Sequence, residues 1–569
     1  MRHFFKRLPL PLLTYAMAIA PIVTTVGCAD MAMAPESKQT TGTPTGSNNT
    51  GGGGMYASAD AGTASTPATG NNAGKQASGG TAAAESDVGI GLKPGGAQDI
   101  AFFRMKLQQK QLPKASDLTL EGFLNEHDTV LPPAEKDRAI TLHALAGVFL
   151  PSQGSPEAVI QLGLNSSKKL AEVKTSLALT VVIDRSGSMS GAKMNDVKAG
   201  LHVMADNLPS GTRLAIISFS SNVTTNFAAS TVSATGTQAV HSAIEGIVAD
   251  GGTNLYDGLS TGLSVCKSAE DSFKLKRILF LSDGVATVGN TNKLAISGLA
   301  KQAADAGCTV STVGVGTDFD LPLMTEMAQV GQGTAWFVQS AEHAKAVFVQ
   351  DLEAMLIPVA EKLWMQFSLA KGWKVLEIPG FEWVEKDGEV SITGAKKPAG
   401  QPETTPPPAV DPNTGKVAMP TLFASKKNGM IMVRLQAPAA LDAVGLANFM
   451  VSTVQYGYSI AQTGAKESFA VPVLVPGLTA IPDGGLFYFT SPIVQRAWLL
   501  LHVGTDLMAA CKLAEAGQPE SAKAVLNQSA ALLDAQIKLG AKPLADVDKT
   551  APNLADAAQL LADLKALVP

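Results

Sequence analysis

Leu177-Ala-Leu-Thr-Val-Val-Ile-Asp184-Arg-Ser186-Gly-Ser188 is the stretch on which the reading of this chain turns. Its first seven residues are apolar or β-branched with no polar alternation, as in a strand buried on both faces. A carboxylate, two hydroxyls and a glycine then break the run. Outward from it, strands alternate with helices. Residues 193–207 read as a helix with Val197, Leu201 and Met204 on one face, and 213–219 as a second buried strand. Helices are expected over 238–248 and 254–267, a strand over 277–281, a helix over 293–306 and a strand over 309–315. The series closes with a helix over 321–330, a strand over 334–338 and a long helix over 341–360. Repeated strand–helix units require a mostly parallel, doubly wound sheet with helices on both faces.

In such a sheet, ligands bind outside the carboxyl ends of the strands. Three loops at that edge carry oxygen groups: Asp184-Arg-Ser186-Gly-Ser188, Gly251-Gly-Thr253 and Asp283-Gly284. Taken singly, each has an ordinary explanation. Asp-Gly after a strand makes a turn, and Asp or Ser before a helix makes a cap. Taken together they supply two carboxylates and three hydroxyls at one edge. That inventory suits a hard cation such as Mg²⁺ or Mn²⁺. Two negative charges leave such an ion nearly neutralised and able to accept one more carboxylate. Gly187 and Gly284 allow the backbone to turn beside it.

This arrangement resembles a von Willebrand factor type A domain with a complete metal-ion-dependent adhesion site. The family's Asp-x-Ser-x-Ser motif matches Asp184, Ser186 and Ser188, its threonine matches Thr253, and its later aspartate matches Asp283. The resemblance implies Mg²⁺ (or Mn²⁺ or Ca²⁺) held directly by the three hydroxyls, with the two aspartates acting largely through water. It also implies a protein ligand whose acidic residue completes the site. Asp257 is read as a cap or supporting group. The resemblance covers residues 177–360.

The flanks have another pattern. Two short helices are expected in 98–126, and strands over 139–150 and 158–164. Further strands are expected over 364–369, 373–378, 390–392, 430–435, 448–456 and 468–473. Strands on both sides of the α/β domain suggest one β-sandwich interrupted by it, an order that resembles a group of bacterial von Willebrand A lipoproteins. The domain boundaries so read are 98–176, 177–360 and 361–485, with a helical region over 490–569. There, helices are expected from Pro492 to about residue 516, from Pro519 to 539 with Gly540 as the stop, and over 553–567. These form a hairpin read either as a cap on the sandwich or as a partner-binding module.

The N-terminus has its own chemistry. Arg2, Lys6 and Arg7 precede an apolar stretch ending in Thr25-Val26-Gly27-Cys28, as a secretory signal does. The ending resembles a lipobox, with Thr25 in place of the usual aliphatic. It implies a signal over 1–27, a lipidated Cys28 and a cell-envelope location, at the outer membrane, the periplasmic face or the cell surface. Residues 37–87 contain no Ile, Leu, Val, Phe or Trp. A Gly-, Ser- and Thr-rich chain of this kind cannot offset its ordering entropy and serves as a tether, read here over 28–97. Of the other cysteines, Cys266, Cys308 and Cys511, the first two read as buried small residues, with a Cys266–Cys308 bridge as the alternative.

Composition removes several function classes. The 569 residues carry a net charge of −5, with no basic run after the first seven residues, which excludes a nucleic-acid partner. Mean hydropathy is +0.15, but no apolar run after residue 30 reaches ~18 residues, so no internal membrane span is expected. The sequence has no His-Glu-x-x-His, Gly-x-Ser-x-Gly or Walker motif, and its seven histidines are scattered. The reading is therefore a membrane-anchored, divalent-metal-dependent protein-binding module and not an enzyme. A structural envelope lipoprotein with a non-functional metal site is the alternative, with an enzyme third.

Overall fold

The structure is a computed structural model. It describes residues 90–569 except 137, 150–156, 168–175, 234–236, 317–319, 341–342, 346–357, 387, 396–421, 426–427, 439–449, 462, 475–486, 490 and 551. The signal, Cys28 and the polar tract as far as residue 89 lie outside the described residues.

The α/β domain has a seven-stranded sheet. Across it run Gly96–Ala97, Gln332–Val338, Cys308–Val315, Leu275–Ser282, Leu177–Asp184, Arg213–Phe219 and Val223–Thr231. All neighbours are parallel except the last pair. Leu177–Asp184 is buried at every position. Its alternate side chains feed two cores. Leu179, Val181 and Ile183 pack with Met194, Val197, Leu201 and Met204 of the helix Ala192–Asn207 and with Val240 and Ile244 of the helix Thr237–Glu245. Val182 packs on the other face with Leu255, Leu259 and Leu263 of the helix Leu255–Lys267, among helices Lys293–Asp305 and Leu321–Val330. Period-two side chains covered by helices on both faces are what a doubly wound sheet demands. Strand Val223–Thr231 was not expected. It lies at the sheet edge, largely exposed, so hydrophobic patterning gave no sign of it.

The second sheet joins twelve strands of the described residues. Glu157–Ser166 pairs with Thr141–Phe149 on one side and with Met430–Gln436 on the other. Pro358–Leu369 pairs with Met450–Ile460, which pairs in turn with Lys466–Leu474. Segments before and after the α/β domain thus share one sheet and one core, including Ile160, Leu162, Phe367, Val433 and Tyr456. The α/β domain is inserted in this sandwich, as the sequence pattern suggested.

Three expectations need correction. The tether reading ran to residue 97, but Ile90–Pro94 is a strand bonded to both Leu422–Ser425 and Glu157–Ser166, with Leu92 fully buried. Gly96–Ala97 then crosses to the α/β sheet. A five-residue strand directly after a polar tract lacks the length to show a period. The helix expected over 341–360 cannot reach its end, because strand Pro358–Leu369 begins there. The helix expected to stop at Gly540 continues as Pro519–Val547 through Gly540 and Pro543. A Cβ on Gly540 would stand 2.9 Å from Leu544 Cβ and 3.0 Å from Gln495 Oε1. Glycine is there for close packing against the neighbouring helix, not as a stop signal.

The C-terminal helices Pro492–Glu515, Pro519–Val547 and Leu554–Leu567 share a core with Phe103, Phe123, Val159, Met430 and Met432. They cap the sandwich. Pro492–Glu515 is long and apolar enough to cross a membrane by length and composition, yet 56% of its most apolar window is buried inside the protein. Its Arg496 pairs with Asp548 at 2.6 Å. Both are properties of a core helix. The helix Ala101–Gln108 links the layers, sending Phe102 and Met105 into the α/β core and Phe103 and Leu107 into the helical one. Cys266 and Cys308 form a disulfide, the alternative in the sequence reading, while Cys511 is a buried free thiol.

Candidate metal centre

Asp184 is the last residue of the central strand, and Asp283 follows the last residue of its neighbour Leu275–Ser282. The register of these two parallel strands, Ile183 opposite Leu281, brings both carboxylates to one edge. Both are fully buried. Asp184 Oδ1 accepts from Ser186 N at 2.8 Å, and its Oδ2 accepts from the Ser282 hydroxyl at 2.6 Å. Ser186 and Ser188 Oγ stand 3.0 Å apart, and Ser188 donates to Asp283 Oδ1 at 2.9 Å. A short 3₁₀ turn, Gly187–Met189, sets the serine spacing.

The Thr253 loop is tied to the same place by its backbone. Gly187 N donates to Gly251 O at 3.0 Å, and Asp250 N to Arg185 O at 2.7 Å. Thr287 closes the other side: its N donates to Thr253 O, and its hydroxyl accepts from Thr253 N, both at 2.9 Å. A Cβ on Gly284 would stand 3.6 Å from Thr253 Oγ1 and 3.8 Å from Ser188 Oγ. The three loops therefore turn Asp184, Ser186, Ser188, Thr253 and Asp283 toward one small space beside Gly284. Ser188 is exposed while Asp184, Ser186, Thr253 and Asp283 are buried, so the space opens on the solvent side.

Asp257 stands apart from this group. Asn254 caps the helix, accepting from Asp257 N at 3.2 Å, and its amide donates to the Asp257 carboxylate at 2.7 Å. That is the supporting role the sequence suggested.

Sequence reasoning missed three contributors. Ser282 orients Asp184. Thr287 fixes the Thr253 loop. Lys193, in the first turn of the following helix, places its ammonium 2.6 Å from Asp283 Oδ2. The signal for Lys193 was its place nine residues after Asp184, on the helix that the motif opens.

Burial pushes the Asp184 carboxyl up to about 6, and the Asp283 charge adds to this, while hydrogen bonds from Ser282 and Ser186 oppose it. Such a group resists carrying its charge unless a cation lies nearby. Among the described residues no group of three or more His, Cys, Asp or Glu is arranged to hold a metal ion. An ion at this edge would rest on two carboxylates and three hydroxyls. That all-oxygen donor set fits Mg²⁺, Mn²⁺ or Ca²⁺ and not a soft metal.

Known proteins resemble this chain over its α/β domain. The model of the von Willebrand factor type A domain matches residues 178–351. The uncharacterized protein YfbK of Escherichia coli (strain K12) is 26% identical over 212 residues, 37% of this chain and 36% of that protein. Inter-alpha-trypsin inhibitor heavy chain H4 of Bos taurus is 31% identical over 237 residues, 40% of this chain and 24% of that protein. The chain thus spans about a third or less of the length of these relatives. A solved von Willebrand factor type A structure from Catenulispora acidiphila aligns over 75% of this chain and 96% of its own, at 13% identity and a TM-score of 0.48. The matched span and the parallel sheet it covers thus identify residues 178–351 as a von Willebrand factor type A domain.

Proposed function

We propose that the chain is a divalent-metal-dependent protein-binding module held at the bacterial cell envelope by lipid on Cys28. The observation that carries this reading is the convergence of the oxygen groups of Asp184, Ser186, Ser188, Thr253 and Asp283 on one solvent-open space. These residues would hold Mg²⁺, Mn²⁺ or Ca²⁺, and the bound ion supplies an electrophilic point for a carboxylate of a protein partner. Ser282 and Thr287 keep the donors in place. The Ser188 and Ser282 hydroxyls are hydrogen-bonded to carboxylates and not to an imidazole, and the reading is adhesion or scaffolding, not catalysis.

The test is capture of envelope proteins by the immobilised chain in Mg²⁺ and in chelator. Capture that needs the cation and disappears with Asp184→Ala supports the proposal. Capture indifferent to both sinks it. For the anchor, mass spectrometry of the mature N-terminus should find a lipidated Cys28. An unmodified peptide starting elsewhere would mean that the protein is not lipid-anchored.

A second reading, a structural lipoprotein whose site takes no metal, is favoured by one observation. Lys193 already places a positive charge on Asp283. Lys193→Met separates the two. If the site takes metal, removing the competing ammonium tightens Mg²⁺ binding. If Lys193 has replaced the ion, neither protein responds to Mg²⁺.

A further inference from the structure

Away from the carboxyl edge, two helices of the α/β domain carry the same short pattern. His202 precedes Asp206 by four residues in Ala192–Asn207, and His241 precedes Glu245 by four in Thr237–Glu245. This spacing puts each pair on one helical face. The two faces meet and brace each other crosswise. His202 Nε2 lies 2.8 Å from Glu245 Oε1, and His241 Nε2 lies 2.8 Å from Asp206 Oδ1. Between the rings, the two Nδ1 atoms face each other at 2.6 Å. The ring centroids are 4.8 Å apart with planes inclined by 30°. That separation exceeds the nitrogen gap by about the two ring radii, so the Nδ1 lone-pair directions run toward each other.

The two acids fix the tautomer of each ring. An ionised carboxylate only accepts, so each Nε2 must carry the hydrogen it shares with its acid. The hydrogen bond from His202 holds the Glu245 carboxyl below its ordinary range, with Lys198 adding to the effect. When both imidazoles are neutral, each has one N–H, and both Nδ1 atoms are then bare acceptors pointing at one another. That contact is repulsive unless a cation stands between them.

We propose that His202 and His241 form a two-nitrogen site for a borderline transition-metal ion of the Zn²⁺, Ni²⁺ or Cu²⁺ class. Imidazole suits these metals, whereas Mg²⁺ and Ca²⁺ prefer oxygen. Asp206 and Glu245 stand behind the rings as the carboxylates behind metal-bound histidines do, fixing the tautomer and raising ligand basicity. With metal–nitrogen bonds of about 2.0–2.1 Å, an ion between the two Nδ1 atoms needs them about 4 Å apart, so the rings must part by roughly 1.5 Å from their 2.6 Å separation. Both are about a quarter exposed, at 26% and 24%, and can do so, with water completing the shell. His202 lies nine residues beyond Lys193, about 13 Å along the helix axis, so this site is separate from the oxygen site and stands or falls without it.

The test is isothermal titration of the full chain with ZnCl₂ and then CuSO₄, in excess Mg²⁺ to occupy any oxygen site. The expected result is one saturable ion per chain, with Cu²⁺ tighter than Zn²⁺. His202→Gln or His241→Gln should abolish it, and Asp206→Asn with Glu245→Gln should weaken it by about 10–100-fold. Electron paramagnetic resonance of the Cu²⁺-loaded natural chain gives an answer without any variant: coupling to two imidazole nitrogens supports the site. No saturable uptake, uptake indifferent to both histidine substitutions, or a Cu²⁺ spectrum lacking those nitrogens would overturn the proposal and leave the pair sharing a proton.

Discussion

The α/β sheet and the β-sandwich each bury a hydrophobic core, but they are assembled from different distances along the chain. In the first, Leu177–Asp184 finds its neighbours at Arg213–Phe219 and Leu275–Ser282, with connecting helices between. In the second, Ile90–Pro94 pairs with Leu422–Ser425, and Glu157–Ser166 with Met430–Gln436, across the whole inserted domain. The local sheet gathers consecutive loops at one edge, and that edge holds the candidate metal centre. The sandwich is built from distant antiparallel segments. On the proposed function the two regions divide their roles, with metal binding at the edge of the inserted domain and support from the split one.

If that division holds, damage to one region should leave the other's behaviour intact. The largest effect is expected in the sandwich. Leu92→Ala empties a fully buried position in its core and should cost about 2–5 kcal/mol, read by denaturant unfolding. The Mg²⁺ response of the remaining folded protein should not change. Loss of that response alongside stability would merge the two regions.

Within the α/β domain, the Cys266–Cys308 bridge joins a helix to a strand 42 residues on. Replacing both cysteines by alanine should lower stability by about 2–4 kcal/mol. Reducing agent should lower the melting temperature of the natural chain and leave that of the variant unchanged. A variant as stable as the natural chain would show that the bridge adds nothing to this domain.

The junction between the regions gives a smaller, pH-dependent effect. Glu121 is buried, with Gln329 of the α/β domain donating to it at 3.2 Å, and burial raises its carboxyl to about 8. The folded protein therefore binds a proton here that the unfolded chain releases near 4.5. Stability should fall as pH rises from about 4.5 to about 8, by a few kcal/mol at most. Glu121→Gln should remove that slope and be more stable than the natural chain at pH 9. Parallel pH profiles for the two proteins would place a charged Glu121 in the folded state.

The same contrast explains what could be read from sequence. The buried runs 177–183 and 213–219 and the oxygen-bearing loops are local signals, each complete within a dozen residues. Their order alone implied the shared edge. Ile90–Pro94 was hidden because its partners lie more than 60 and more than 300 residues away, and five residues carry no period. Val223–Thr231 was hidden by its exposure. Lys193 and Ser282 were visible as residues, but their roles depend on the register that sets Ile183 opposite Leu281. The His202–His241 pair was legible only as two matched His-x-x-x-acid patterns, which mean nothing until two helices cross.

The central claim, that the carboxyl edge of the α/β sheet takes a divalent cation, is tested most directly by thermal unfolding of the full chain against Mg²⁺ concentration, beside Asp184→Ala. Binding to the folded state alone should raise stability saturably, by about 2.7 kcal/mol at a hundred times the dissociation constant, and Asp184→Ala should show no rise. A natural chain whose melting temperature ignores Mg²⁺, Mn²⁺ and Ca²⁺ alike, or an Asp184→Ala variant that responds as the natural chain does, would contradict it.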